Sequence, residues 1–242
     1  MDYVFMSIAD ERAADNPVLI MVDELTGERY ARAVGHKGTS TVDSSWLVQD
    51  ISEELKSWGH QGGEKGHITM KTDGESAIVA LRDAVAKFHG GRIVPELPPR
   101  GHHQSNGLLE EAGKTTREYC RVLKLQIEEC AGMILETAAD LTQWLIRWSA
   151  MLYSRYSVGR DGLTPIERRR GRRCRLPACV FGETVWYRLL RVGESGVDKF
   201  DSEWRKGVWL GHTRNSNEHV IGTAEGLSLI HISEPTRLLS IS

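Results

Sequence analysis

The sequence has little cysteine, four thiols (Cys120, Cys130, Cys174, Cys179) in 242 residues. That is too few for a disulfide framework and suits a reducing compartment. No apolar run approaches the roughly 18 residues of a membrane span. The opening MDYVFMSIADERAAD puts acids where a secretory leader needs an apolar stretch. There is little excess charge: the formal net is −2 and the pI about 6.5, so bulk charge argues neither for nor against a polyanionic partner. The nine histidines and four cysteines show no zinc-ligand spacing, because Cys174 and Cys179 have no second pair or nearby His to complete a site. Internal repeats and low-complexity tracts are also missing. These absences leave an intracellular globular chain with no membrane partner. Hydrophobic residues at 40% and charged residues at 26% are an ordinary composition that can bury a core. The length suits one large domain, or a medium domain plus a small one.

Apolar patterning predicts strands at Asp2–Met6, Pro17–Val22 and Arg29–Val34, with Glu24-Leu25-Thr26-Gly27 as a hairpin turn between the last two. A helix over Ser45–Trp58, a strand over His67–Thr72, a helix over Ser76–Phe88 and a short strand at Ile93-Val94 follow. After the loop PELPPRGHHQSNG come two long helices, about Leu108–Cys130 and Asp140–Tyr156. This order is an α/β layout with a mixed sheet. Between Arg155 and Arg175 stand eight arginines against Asp161 and Glu167, a local net of +6. Such a Gly- and Pro-punctuated stretch reads as a domain boundary. Beyond it, Val185–Leu190, Gly207–Gly211 and His219–Thr223 are strand candidates for a small β domain.

Three acids stand out by placement. Asp2 lies in the first strand, Asp73 at the end of HITMKT directly before Gly74, and Glu110 in the first turns of the long helix. Two strand-borne carboxylates and one helix-borne carboxylate can converge on a sheet edge and hold two Mg²⁺ ions, hard cations that take oxygen ligands. Such a pair clamps the attacking and leaving oxygens of a displacement at phosphorus. The ordinary alternatives are a turn residue for Asp73 and a helix-dipole partner for Glu110.

The DYVFM start, KTDGESAI, HHQSNGLLEEA, WLIRWSAMLYSRYSVGRDGLTPIERRRGRR and FGETVWYR occur in one order. Together these segments resemble the integrase region of copia-type retrotransposon polyproteins, over nearly the whole chain to about Gly226. The resemblance implies an RNase H-like catalytic core over residues 1–156, with an Asp-Asp-Glu set at Asp2, Asp73 and Glu110 binding Mg²⁺ or Mn²⁺. It implies a basic linker at 157–178 and a small SH3-like β domain at 179–226. Asp23 competes for the first position, but it ends the second strand beside a turn and reads as a turn residue. The implied reaction is strand transfer, in which a 3′-hydroxyl of element DNA attacks target DNA. The implied partners are DNA and further copies of the chain, and the implied setting is the nucleus at integration and a cytoplasmic particle before it. The family's upstream zinc-binding His/Cys domain has no counterpart here, so the first strand is expected to be cut short. The alternatives are a non-catalytic DNA-binding remnant and a metal-dependent nuclease of the same fold.

Lys114, Arg117, Arg121 and Lys124 follow Glu110 at offsets 4, 7, 11 and 14, a strip of cations on one helix face. The opposite stripe, Leu108, Ala112, Tyr119, Val122 and Ile127, reads as core. The strip reads as a solvated face by itself and, beside a metal site, as a phosphate track. Arg168, Arg169, Arg170, Arg172 and Arg173 near aromatic-rich β segments suit nucleic acid in the same way. In the family reading Gln104, Ser105 and Asn106 lie in a loop over the active site and approach DNA. Finally, Leu227–Arg237 (LSLIHISEPTR) resembles the conceptual translation of a transposase-based sequencing-library adapter. Residues 227–242 are therefore expected to stand outside the domain as a loosely attached tail, although Leu229, Ile230 and Ile232 are good β formers.

Overall fold

The computed structural model describes residues 1–7, 11–12, 16–38, 44–63, 67–96, 107–132, 134–135, 140–176, 179–188, 204–223, 226–230 and 236–237. The chain divides into two compact units, Met1–Arg121 with Glu136–Cys174, and Val122–Leu135 with Arg175–Ser242. No helix among the described residues is long and apolar enough to cross a membrane.

The first unit is α/β. Strands β1 (Asp2–Val4), β2 (Val18–Val22) and β3 (Arg29–Ala33) form an antiparallel sheet in that order. The run PVLIMV is apolar throughout because β2 is the central strand of the three: Val18, Leu19, Ile20 and Met21 are all buried, covering both faces. The predicted hairpin turn is built by Asp23, whose Oδ2 accepts from Thr26 N at 3.1 Å while its carbonyl accepts from Gly27 N at 2.7 Å. After helix α1 (Ser44–Ser57), β4 (His67–Lys71) pairs in parallel with β5 (Arg92–Glu96) through the crossover helix α2 (Ser76–His89). Pro95 is tolerated in β5 because that strand pairs on one side only. The β1-β2-β3 sheet and the β4-β5 pair are separate ladders, and the Met1 nitrogen links them where β1 begins by donating to the Lys71 carbonyl at 2.6 Å.

Two apolar layers flank this sheet. Tyr3, Leu19, Met21 and Tyr30 pack with Leu47, Ile51 and Leu55 of α1 and Ile78, Leu81 and Val85 of α2. On the other face Val18, Ile20 and Ala31 pack with Ala112 of α3 (Gly107–Ala131) and Ile146 and Ala150 of α4 (Asp140–Tyr156). The mixed, helix-flanked sheet expected from the sequence is therefore present.

Several expectations need correction. The buried stripe of α3 is Ala112, Thr116, Leu123 and Ile127, whereas Leu108 (46% exposed) and Val122 (63%) face outward. The helix is rotated because Gly113 lies against β1: a Cβ there would stand 3.2 Å from Val4 Cγ1. A glycine costs about 1 kcal/mol in a helix interior, and this close approach explains its use. The chain passes between units inside α3, after Arg121, as well as at the end of the basic stretch, after Cys174.

That stretch, expected as a linker at 157–178, is folded onto the first unit as far as Cys174. It carries α5 (Pro165–Arg170), opened by a Thr164–Glu167 capping box with Pro165 in its first turn, and Pro165 and Ile166 are buried. A capped, apolar-anchored turn competes well against a flexible linker.

The second unit is an antiparallel meander of β6 (Thr184–Arg188), β7 (Trp204–His212), β8 (His219–Thr223) and β9 (Gly226–Ile230), with β10 (Thr236–Arg237) added beside β6. Gly207 is required where β7 lies closely against β8, since a Cβ would clash with Ile221 Cγ2. The tail expected to stand apart from 227 onward instead contributes β9 and β10. Leu227 and Leu229 have the β propensity to close the open edge of β8 in register from Gly222↔Leu227 to His219↔Ile230. The pairing is by backbone, because Leu227 (67%) and Leu229 (56%) leave their side chains exposed.

Candidate active site

The sheet order decides where the three acids fall. Asp2 is the first residue of β1, and Asp73 follows the end of β4 by two residues. Because β1 and β4 are neighbours through the Met1–Lys71 hydrogen bond, the two carboxylates belong to adjacent strands. They interact: the Asp2 carboxyl is pushed above its usual range by burial first, and the charges of Asp73 and Glu75 push it the same way, against a backbone hydrogen bond from Tyr3 N (2.7 Å) that lowers it. Asp73 is exposed and accepts from Gly74 N at 2.5 Å.

Glu110 comes from α3. Asp2 and Val4 share a face of β1 by the two-residue period, and Glu110, Gly113 and Arg117 share a face of α3 by helical spacing. Gly113 lies against Val4, and Arg117 Nη1 donates to the Phe5 carbonyl at 3.4 Å. Helix α3 thus packs on the β1 segment from Gly113 onward, and Glu110 stands one turn before that contact. Glu110 is exposed. Asp23, the competitor, is occupied by its hairpin and lies 3.8 Å from His60 Nε2.

Among the described residues no group of three or more His, Cys, Asp or Glu side chains gathers closely enough to hold a metal ion. The expectation of three carboxylates already within shared-metal reach is therefore not met. Like charges without a counter-ion repel, and the charges of Asp73 and Glu75 add to burial in raising the Asp2 carboxyl. In kind the donors fit a hard divalent cation, being carboxylate oxygens with no thiol or imidazole among them.

The sign of the Asp2 effect gives a prediction. A carboxyl whose folded pKa is raised holds its proton more tightly in the fold, so its contribution is fully present at acid pH and is lost as pH rises through the folded pKa. Asp2→Asn, which keeps an oxygen for Tyr3 N, is expected to melt at a higher temperature than the parent at pH 7 without divalent ions. The two should converge at acid pH. An equal or lower melting temperature at pH 7 would show that ionised Asp2 costs the fold nothing.

The cationic strip is partly free and partly engaged. Lys114 and Arg121 are exposed, Arg117 is half-buried against β1, and Lys124 is 3.6 Å from Glu128. The arginine cluster differs more from its expected role. Arg169 makes two hydrogen bonds to buried Glu28, Arg168 pairs with Asp161 and donates to the Thr26 carbonyl at 2.9 Å, and Arg173 faces Glu167. Arg170, Arg172 and Arg175 are exposed. Gln104, Ser105 and Asn106 lie outside the described residues. The four cysteines are free thiols, and burial pushes Cys120 up to about 11.

No protein-family model matches the sequence, and no curated protein matches it. Among solved structures, the chain is similar to the catalytic core domain of BIV integrase, at 14% identity and a TM-score of 0.43 over 64% of this chain and 86% of that one. It is also similar to a chain of the simian T-cell lymphotropic virus intasome in complex with PP2A regulatory subunit B56 gamma. That match has 13% identity and a TM-score of 0.46 over 89% of this chain and 69% of the other.

Proposed function

We propose that the chain is the integrase part of a copia-type element and transfers DNA strands with divalent metal at Asp2, Asp73 and Glu110. The observation that supports this reading is that β1, which opens on Asp2, is hydrogen-bonded through Met1 to the end of β4, two residues before Asp73, while α3 packs on β1 at Gly113, three residues after Glu110. Mg²⁺ or Mn²⁺ held there would activate a 3′-hydroxyl and offset charge on the phosphoryl oxygens. The chain's own share is positioning. Lys114, Arg117 and Arg121 run from Glu110 along one helix face and suit successive phosphates of a duplex. Arg170 and Arg172 are further candidates. Arg168, Arg169 and Arg173 serve the fold first, because their guanidiniums already hold carboxylates. The reading extends to self-association and to action in the nucleus, following a cytoplasmic particle.

The test is a product assay. The full chain is incubated with Mn²⁺ or Mg²⁺, a labelled duplex with free 3′ ends and supercoiled plasmid. Joined product supports strand transfer. Nicks without joining indicate a nuclease, and binding alone indicates a non-catalytic remnant.

The cationic strip has its own prediction. Lys114→Gln with Arg117→Gln and Arg121→Gln is expected to weaken non-specific DNA binding. It should also flatten the slope of log affinity against log salt by about one unit per lost phosphate contact. An unchanged slope by fluorescence anisotropy would return the strip to an ordinary solvated face.

A further inference from the structure

Each of the two exposed acids of the candidate site has an acidic neighbour in sequence, and both neighbours are gripped by cations borne by or just beyond β3. Glu111, beside Glu110, accepts from Arg29 Nη2 at 2.7 Å. Arg29 opens β3, its side chain is 3% exposed, and its guanidinium carbon lies 3.4 Å over the Tyr153 ring, so it is a fixed post rather than a mobile surface cation. The second carboxylate oxygen of Glu111 accepts from Thr115 Oγ1 at 3.0 Å, which pins the first turns of α3. Glu75, two residues after Asp73, binds Lys37 Nζ through both oxygens at 3.0 and 2.9 Å. Glu75 stands at the N-cap of α2 yet makes no side-chain cap there, its carboxylate being turned to Lys37 instead. Lys37 follows β3 by four residues and lies over the Tyr3 and Phe5 rings of the β1 segment at 5.6 and 5.4 Å, while Gly38 N donates to Tyr3 Oη at 3.0 Å.

The sheet register ties these grips to the third acid. Asp2 pairs with Ile20 across β1–β2, and Ile20 pairs with Ala31 across β2–β3. Asp2, Ile20 and Ala31 thus form one line across the sheet, with Arg29 and Lys37 on either side of it along the β3 chain. Three like charges repel in the absence of metal, and the three carboxylates stand too far apart in this structure to hold an ion together. We propose that Arg29–Glu111 and Lys37–Glu75 are positioning pairs: from the β3 chain they fix the first turns of α3 and the turn after β4, the two segments that must bring Glu110 and Asp73 to Asp2 when metal binds. This rests on the strand-transfer reading of the three acids. A surface ion pair such as Lys37–Glu75 adds little to stability, so its effect should appear in metal affinity rather than in melting.

The experiment measures Mn²⁺ binding to the full chain by calorimetry, DNA affinity in EDTA, and melting temperature. Glu75→Gln and Glu111→Gln are each expected to weaken Mn²⁺ binding about tenfold, the usual cost of removing a partner that orients a ligand. DNA affinity in EDTA should be unchanged. The exchanged pair Lys37→Glu with Glu75→Lys should restore Mn²⁺ binding, which a generic loss of charge near the site would not do. If Glu111→Gln unfolds the unit by stranding the buried Arg29, the Lys37–Glu75 arm decides alone. Mn²⁺ affinity unaltered by Glu75→Gln, or not restored by the exchange, overturns the proposal. Asp73→Asn separates the two levels. Loss of Mn²⁺ binding there but not in Glu75→Gln and Glu111→Gln overturns the positioning role alone, and no loss in any variant overturns the metal site as well.

Discussion

Asp73→Asn is expected to abolish strand transfer while leaving DNA binding intact. The asparagine keeps the size of the side chain and an oxygen for Gly74 N, the hydrogen bond that shapes the turn after β4. What it removes is one anionic oxygen donor of the proposed metal site. Metal stabilisation of transferring phosphoryl charge is worth several kcal/mol, and at about 1.4 kcal/mol per factor of ten the loss should be on the order of a thousandfold. The proposed DNA affinity is assigned to the α3 cations, none of which adjoins Asp73 in sequence, so it should hold steady or rise slightly as a negative charge disappears. The measurement pairs a strand-transfer gel with fluorescence anisotropy on the same preparation. Joining that survives Asp73→Asn would remove this residue from the chemistry and the three-acid reading with it.

The parts of the fold that were legible in the sequence are those written locally. An unbroken apolar run, Val18–Val22, marked a strand covered on both faces, and Asp23 before Thr26-Gly27 marked a hairpin whose hydrogen bonds close within four residues. The strand–helix alternation gave the layers. The parts that were not legible depend on distant partners. An arginine run does not disclose that Arg169 reaches Glu28, 141 positions earlier. The apolar stripe expected on α3 does not allow for the close approach of one glycine to Val4, though an isolated glycine inside a strong helix is itself a signal of close packing. The acids of the candidate site were found from strand ends and a helix start, but the grips beside them, Glu75 and Glu111, were passed over. In sequence they look like ordinary acidic neighbours, and only the fold brings Lys37 and Arg29 to them.

The arginine stretch also carries the largest expected stability effect. Arg169 Nε and Nη2 meet the two oxygens of Glu28 at 2.5 and 3.0 Å, and the Glu28 side chain is only 4% exposed. Removing one partner of such a pair leaves a buried carboxylate without its guanidinium, which costs about 3–5 kcal/mol. Burial holds the Arg155 guanidinium below its usual pKa while the charge of Glu28 acts on it in the opposite sense, so Arg155 would offset part of the loss and Arg169→Ala belongs at the lower end, about 3 kcal/mol. Arg172→Ala, an exposed substitution in the same run, is expected to stay within about 0.5 kcal/mol. Because the chain has two units, the check is native-state hydrogen exchange read at the amides of β2 and β3, which report the first unit alone. The double variant Glu28→Gln with Arg169→Met should recover much of the loss, since the stranded charge is gone. If Arg169→Ala leaves β2 and β3 protected but weakens DNA binding as much as Lys114→Gln does, then Arg169 works as a nucleic-acid contact and the docked helix α5 draws its stability from Pro165 and Ile166 instead.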